Sequence, residues 1–266
     1  MKLILLTGAG GGVGHAIRPI LAGQYRLRVS DVKEIGHSAD EEFALADLSD
    51  VDAVRRAVRG VDAIVHLGGY SLEADFETIL PANIIGTYNL FEAARQEGVK
   101  RVVFASSNHV VGFYPRSQTI PVGVTLRPDS RYGVSKAFGE AVASLYAYKY
   151  SAEVFTIRIG HIMPKPETVR DLAIWLSPRD FCQLIGIGIE TAALRHEIVY
   201  GMSDNKRRWW DDPNAARLGY RPQDRSEDYA AEVIAKDTGP SGDARVDLNQ
   251  GGQFAGVEFM PPTTAS

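Results

Sequence analysis

The chain opens on Leu3-Ile4-Leu5-Leu6-Thr7, and this apolar run stops at Gly8. Glycines then stand at Gly8, Gly11 and Gly14, and an apolar-periodic segment continues to about Ala22. Arg26–Ser30 follows and ends at Asp31. The first run reads as a buried parallel strand, the periodic segment as a helix, and Arg26–Ser30 as a second strand. No other feature constrains the fold as strongly, because a strand–turn–helix–strand unit of about 30 residues commits the chain to parallel strand pairing. The glycines let the backbone turn tightly and approach a pyrophosphate. The N-terminus of the following helix offers free N–H groups and the positive end of its dipole. The plain alternative is a tight turn that binds nothing.

The rest of the chain repeats this alternation. Residues 32–45 read as polar loop with a short strand at Glu42–Leu45, and Asp50–Val58 has helical spacing. Ala63–Leu67 is the next strand, closed by Gly68-Gly69. Ile79–Gln96 reads as a long helix with Asn83 inside it. Strand Val102–Ala105, helix Ser130–Tyr150 and strand Val154–Ile159 complete the pattern up to Gly160. Strands alternating with helices imply an α/β fold, a Rossmann-type doubly wound parallel sheet. After Gly160 the order changes. Met163-Pro164-Lys165-Pro166 cannot be helix interior, and the last thirty residues, rich in Gly, Pro and Asp, read as loop or tail. The expected division is 1–160 as the dinucleotide-binding core and 161–266 as a small substrate lobe over the carboxyl ends of the strands.

Composition excludes several classes. A net charge of -4 does not suggest nucleic acid or a membrane surface as partner. The single cysteine, Cys182, allows no internal disulfide and fits a reducing compartment. The first apolar run is too short for a signal peptide or a membrane span, so a cytoplasmic protein is expected. No His, Cys, Asp or Glu grouping has metal-ligand spacing.

The chemistry concentrates between Val102 and Glu140. The strand Val102–Ala105 runs into Ser106-Ser107-Asn108-His109, and Tyr132-x-x-x-Lys136 follows on a helix. Residues i and i+4 share a helix face, so Tyr132 and Lys136 point at the same small volume. An ammonium there favours the phenolate and lowers the tyrosine pKa from about 10. Ser107, Tyr132 and Lys136 thus read as a proton-transfer device; otherwise they are a helix-surface pair and a strand cap. Asp31, at the end of strand two, suits ribose hydroxyls and repels a 2′-phosphate, which favours NAD over NADP. Val13 in the glycine turn, Asp47-Leu48, and Leu67, Gly68 and Gly69 at the next strand end complete the expected cofactor site. Asn108 and His109 are placed to bond substrate hydroxyls, although His109 also suits a satisfied core histidine. Arg170, in the loop after Gly160, can clamp a carboxylate bidentately or simply be solvated. His161 and Lys165 share that loop.

These residues resemble the extended short-chain dehydrogenase/reductase superfamily. Val65-His66-Leu67-Gly68-Gly69, Phe104-Ala105-Ser106-Ser107-Asn108-His109, Arg158-Ile159-Gly160 and Gln250-Gly251-Gly252-x-Phe254 are similar to its uronate dehydrogenase branch, essentially along the whole chain. The resemblance implies NAD-dependent oxidation at C1 of a hexuronic acid to an aldarolactone. It implies Ser107, Tyr132 and Lys136 as the catalytic triad. Ser71, Asn108, His109, Arg170 and Phe254 would then contact the substrate, with Arg170 on its carboxylate. His161 departs from the branch, which resembles Arg-Ile-Gly-Ser at this point. A C6 phosphate or sulfonate therefore stays open beside the carboxylate, as does a non-catalytic NAD sensor. A homo-oligomer built on the two long helices is expected.

Overall fold

The computed structural model describes residues 1–260; the end of the tail lies outside the described residues. Seven parallel strands form one sheet: β1 Leu3–Thr7, β2 Arg26–Asp31, β3 Glu42–Leu45, β4 Ala63–His66, β5 Arg101–Ser107, β6 Glu153–Ile159 and β7 His196–Gly201. Their spatial order is β7-β6-β5-β4-β1-β2-β3. The main helices are α1 Gly12–Ala22, α2 Val51–Val58, α3 Gly86–Gln96, α4 Arg131–Tyr150 and α5 Pro178–Glu190.

Alternation along β1 shows why the sheet must be covered on both sides. Ile4 and Leu6 pack with Ile17 and Leu21 of α1 and with Phe181, Leu184 and Ile185 of α5. Leu3 and Leu5 pack on the opposite face with Val54 of α2, Phe91 of α3 and Tyr146 of α4. A strand with apolar side chains on both faces is stable only between two helical layers. Parallel pairing then brings every carboxyl end to one edge, where Thr7 stands opposite His66 and Ser107 opposite Ile159. The strand order reverses between β1 and β4, so a crevice opens above Gly8 and Gly68, the place where ligands bind in such sheets.

The expected Ile79–Gln96 helix starts earlier and is not uniform. Phe76–Ile79 leads into a π turn, Leu80–Ile85, before α3 begins. Pro81 sits in that turn and has no N–H to donate, and Gly86 N–H reaches back to the Pro81 carbonyl. Asn83, inside the turn, accepts from Tyr70 N at 2.7 Å and donates to Tyr70 O at 2.9 Å. It also donates to Ser135 Oγ at 2.9 Å, so the turn ties the loop after β4 to α4.

The chain after Gly160 divides its work. Strand β7 pairs with β6 in the main sheet, and α5 covers one face of it. The remaining segments form a cap: His161–Ile162 pairs with Trp175–Leu176, and Trp210–Asp211 pairs with Ile120–Pro121. Val110, Ile120, Ile174, Tyr200 and Trp210 make its core. Where the sequence suggests loop, Ala244–Leu248 and Gly252–Ala255 form short helices.

Candidate active site

At the glycine turn, the backbones of two loops touch. Gly8 has φ 67°, and a Cβ there would lie 2.9 Å from Gly68 Cα. A Cβ on Gly14 would lie 2.6 Å from the Ala9 carbonyl oxygen, so α1 can approach β1 only with glycine there. Helix α1 begins at an N-cap glycine, Gly11, with no capping side chain and no acidic residue in its first turn. Its first N–H groups therefore remain available to an anion beside the positive end of the helix dipole. Gly12 faces open space, and Val13 packs against the core under the turn. Asp31 accepts from Gly10 N and from Val32 N, each at 2.9 Å, which fixes the carboxylate at the end of β2. Asp47 accepts from Ser49 N at 2.8 Å, and the Leu48 side chain abuts Gly68. Leu67 is half-buried and Gly69 exposed at the crevice. An uncapped helix end, a backbone cradle that a Cβ would fill and a fixed carboxylate at the end of β2 fit an NAD diphosphate and adenosine.

The candidate proton-transfer residues lie at the neighbouring strand end. Ser107 closes β5, and its Oγ accepts from His109 N at 3.2 Å. Ser130 caps α4, accepting from Gly133 N at 3.0 Å. Glu73, almost fully buried, accepts from Tyr132 N at 3.0 Å and from Arg131 Nη1 at 2.9 Å. Two carboxyl-terminal tail residues reinforce this corner: Met260 N donates to Glu73 O at 2.8 Å, and Glu258 pairs with Arg131. Tyr132 thus enters the site from the first turn of a doubly capped helix. Lys136 donates to Ala105 O at 2.9 Å, and its Nζ lies 5.7 Å from the centre of the Tyr132 ring.

The charges of this pair differ from the sequence-based expectation. Burial pushes Tyr132 up to about 12, with Ser107 pulling down through its hydrogen bond and Asp129 pushing up. Burial also pushes Lys136 down to about 8. Desolvation disfavours both charged forms. In the protein alone, then, Lys136 does not make Tyr132 a phenolate at neutral pH. Further positive charge is needed in the crevice.

Beneath these residues lies a buried ion pair. Arg158 donates to both oxygens of Glu140 at 2.9 and 2.8 Å, and Ser106 Oγ donates to Glu140 Oε1 at 2.7 Å. It fastens α4 to β5 and β6 one turn beyond Lys136.

On the other side of Tyr132 the candidate substrate residues converge. His109 stacks on Phe254 with ring centres 3.8 Å apart and meets Tyr132 edge-on at 5.7 Å. Tyr70 packs in the same cluster as Tyr132 and Phe254, with Ser71 exposed beside it at the mouth. Asn108, with its amide oriented to satisfy its neighbours, donates to Ile159 O at 3.1 Å and accepts from Arg170 Nη2 at 3.2 Å. Arg170 also donates to Gln250 O through Nε at 3.1 Å and Nη2 at 2.8 Å. The two Nη1 hydrogens are unpaired among the described residues. A fork grip through both terminal nitrogens is therefore closed to a ligand, and Nη1 is the donor that remains. Burial pushes Arg170 down to about 10, which still leaves it cationic at neutral pH.

His161 is half-exposed, and its Nδ1 lies 2.8 Å from Asp171 Oδ1. Burial raises Asp171, but the hydrogen bond and charge of His161, with bonds from Thr168, hold it at about 2. Lys165 pairs with Glu232 at 3.2 Å. Glu73, Asp129 and Gln250 were not legible as site residues. Gln250 is fully buried, donates to Pro115 and Gln118 carbonyls and accepts from Trp210 Nε1. Its only trace in the sequence is the Gln-Gly-Gly-x-Phe run that carries Phe254. Among the described residues, no group of three or more His, Cys, Asp or Glu could hold a metal ion, and no helix is long and apolar enough to cross a membrane.

Residues 4–171 match the NAD dependent epimerase/dehydratase family. The chain is 48% identical over 255 residues to a uronate dehydrogenase of Pseudomonas putida, covering 95% of each chain. It superposes on a glucuronic acid dehydrogenase from Chromohalobacter salexigens with a TM-score of 0.92 at 46% identity, covering 96% of this chain and 97% of that one. A mutant uronate dehydrogenase from Agrobacterium tumefaciens complexed with NAD gives a TM-score of 0.92 at 41% identity, with the same coverage.

Proposed function

The chain belongs to the uronate dehydrogenases of the NAD dependent epimerase/dehydratase family, and we propose that it oxidises the C1 hydroxyl of a hexuronic acid with NAD to the aldaro-1,5-lactone. The observation that carries this reading is the convergence of Ser107, Tyr132 and Lys136 with a half-buried cation, Arg170, around one crevice. Gly8, Gly11 and Gly14 would hold the diphosphate, Asp31 the adenosine ribose, and Lys136 the nicotinamide ribose. When bound, NAD would supply the hydride acceptor and a positive charge. Ser107 holds the C1 oxygen with a hydrogen bond, and ionised Tyr132 takes its proton as general base. Asn108 and His109 contact ring hydroxyls, Ser71 lies at the mouth, Phe254 bounds the pocket, and Arg170 donates from Nη1 to the carboxylate. Atoms balance without water: the sugar loses one proton and one hydride, and the product is the lactone.

A C6 phosphate asks for more positive charge than Arg170 alone provides. The two further basic residues of the loop, His161 and Lys165, are occupied by Asp171 and Glu232. That pairing favours a singly charged group over a phosphate. A complete Ser107, Tyr132 and Lys136 set argues against a sensor, which has no use for a base. Time-resolved proton NMR of the reaction tests the product assignment. One lactone is expected per NADH, decaying later to the open acid; an open acid with no preceding lactone would contradict it.

Asp31→Ala is expected to narrow the preference for NAD over NADP at least ~10-fold, because the repulsion of a 2′-phosphate is lost. The ratio of the two kcat/KM values measures this, and an unchanged ratio would remove the role assigned to Asp31. Apolar side chains stand exposed along the two long helical runs, at Ile85, Tyr88, Leu145 and Tyr148. They support a homo-oligomer packed through these helices. The lone buried cysteine supports a cytoplasmic setting.

A further inference from the structure

We propose that Asp129 is a positioning residue that holds the His109 proton on Nδ1, so that neutral His109 meets the substrate with Nε2 as a hydrogen-bond acceptor. The proposal rests on the reading of His109 as a substrate contact.

The Asp129 side chain is fully buried, and its Oδ2 lies 2.8 Å from His109 Nδ1. Its Oδ1 accepts from Ser130 Oγ at 2.7 Å. Ser130 Oγ in turn accepts from Gly133 N at 3.0 Å, so its single proton is committed to Asp129. A carboxylate has only acceptors to offer, and Nδ1 must therefore be the donor. Neutral His109 then carries no proton on Nε2, and Nε2 has no protein partner among the described residues. The His109 side chain keeps 10% exposure.

Neither group is free to rearrange. A Cβ built on Gly112 or on Gly251 would overlap Asp129 Oδ2, so two glycines from separate segments form a slot for the carboxylate. Asp129 N also donates to His109 O at 3.2 Å. The imidazole is held between the face of Phe254, at 26° to its plane, and the edge of Tyr132, at 72°. An acceptor at Nε2 takes a sugar hydroxyl and refuses a carboxylate. The carboxylate is left to Arg170, and the sugar is oriented with C1 toward Tyr132.

Asp129→Asn tests this, because the amide keeps the shape of the side chain but offers an N–H to Nδ1 and drives the histidine proton to Nε2. A hexuronate hydroxyl must then reverse its bond, and a carboxylate gains a competing donor. Hexuronate KM is expected to rise at least ~10-fold, each factor of ten being about 1.4 kcal/mol. NAD affinity measured without sugar, and Tm, should stay near wild type. In a His109→Ala background the same substitution should change KM less than about twofold, since coupling through His109 is what the cycle isolates. Equal losses in both backgrounds would overturn the proposal and make Asp129 a scaffold for Ser130 and Gly251 only. If His109→Ala alone leaves KM unchanged, His109 is not a substrate contact, and both the contact and the proposal fail. Nitrogen-15 NMR of histidine-labelled wild-type protein reads the tautomer without any variant. A proton on Nδ1 of His109 is expected; one on Nε2 of the neutral ring would overturn the proposal even if Asp129→Asn does not fold.

Discussion

Tyr132→Phe is expected to lower kcat for hexuronate at least ~100-fold, the low end of what a general base contributes, with NAD binding unchanged. The phenyl ring keeps its packing against Phe254, His109 and Ile79, so the variant removes one hydroxyl and little else. Burial sets the Tyr132 hydroxyl at about 12 in the protein alone, and the cation in the crevice has to bring it down. The wild-type kcat should therefore rise with pH along a limb centred well below 12, and that limb should vanish in the variant. Titration of NAD by protein fluorescence checks that the cofactor site is intact. A variant that keeps a tenth of wild-type turnover, or the same rising limb, would remove Tyr132 as the base.

Arg170→Ala should raise KM for a hexuronate by about 10- to 100-fold, because a hydrogen bond to a charged group contributes about 1.5–3 kcal/mol. Neutral aldoses should lose much less. The control is built into the geometry. Arg170 also holds the Gln250 carbonyl, and through it the segment that carries Phe254. Loosening that segment would harm charged and neutral sugars alike. Arg170→Lys keeps the charge but cannot serve Gln250, Asn108 and a ligand together, so an intermediate KM is expected. Equal losses for charged and neutral sugars in Arg170→Ala would assign Arg170 to the scaffold and take the carboxylate from it.

The parts of this molecule that were legible in its sequence are those written in local spacing. The strand β1, the glycine turn, Asp31 and the Tyr132-x-x-x-Lys136 pair each depend on residues close in the chain, where periodicity and helix geometry decide the outcome. The π turn at Leu80–Ile85 was not legible, since it is fixed by Pro81 together with the distant partners of Asn83. The direction of the Tyr132 shift differs from the sequence-based expectation for a related reason. Charge proximity is visible as i, i+4, but burial depends on Phe254, Ala74 and Ile79 arriving from elsewhere in the chain. Glu73, Asp129 and Gln250 act through backbone groups and through contacts distant in the chain, as Gln250 does with Gln118 and Pro115, 132 and 135 residues away. Such residues look like ordinary loop polars until the fold brings them to α4 and Arg170. The lobe after Gly160 was legible as a change of order, yet β7 and α5 return to the sheet because Val199 and Leu184 complete the core on that face.

The central proposal is that one half-buried cation, Arg170, set beside a Ser-Tyr-Lys proton-transfer site, selects a C6 carboxylate for oxidation at C1. Its most direct test is NADH formation, followed by absorbance at fixed NAD, across glucuronate, galacturonate, glucose 6-phosphate, a 6-sulfonated glucose and neutral aldoses. The account predicts that kcat/KM for at least one hexuronate exceeds that for every other sugar in the panel by at least ~10-fold, the equivalent of about 1.4 kcal/mol. A higher kcat/KM for the phosphate, the sulfonate or a neutral aldose would contradict it.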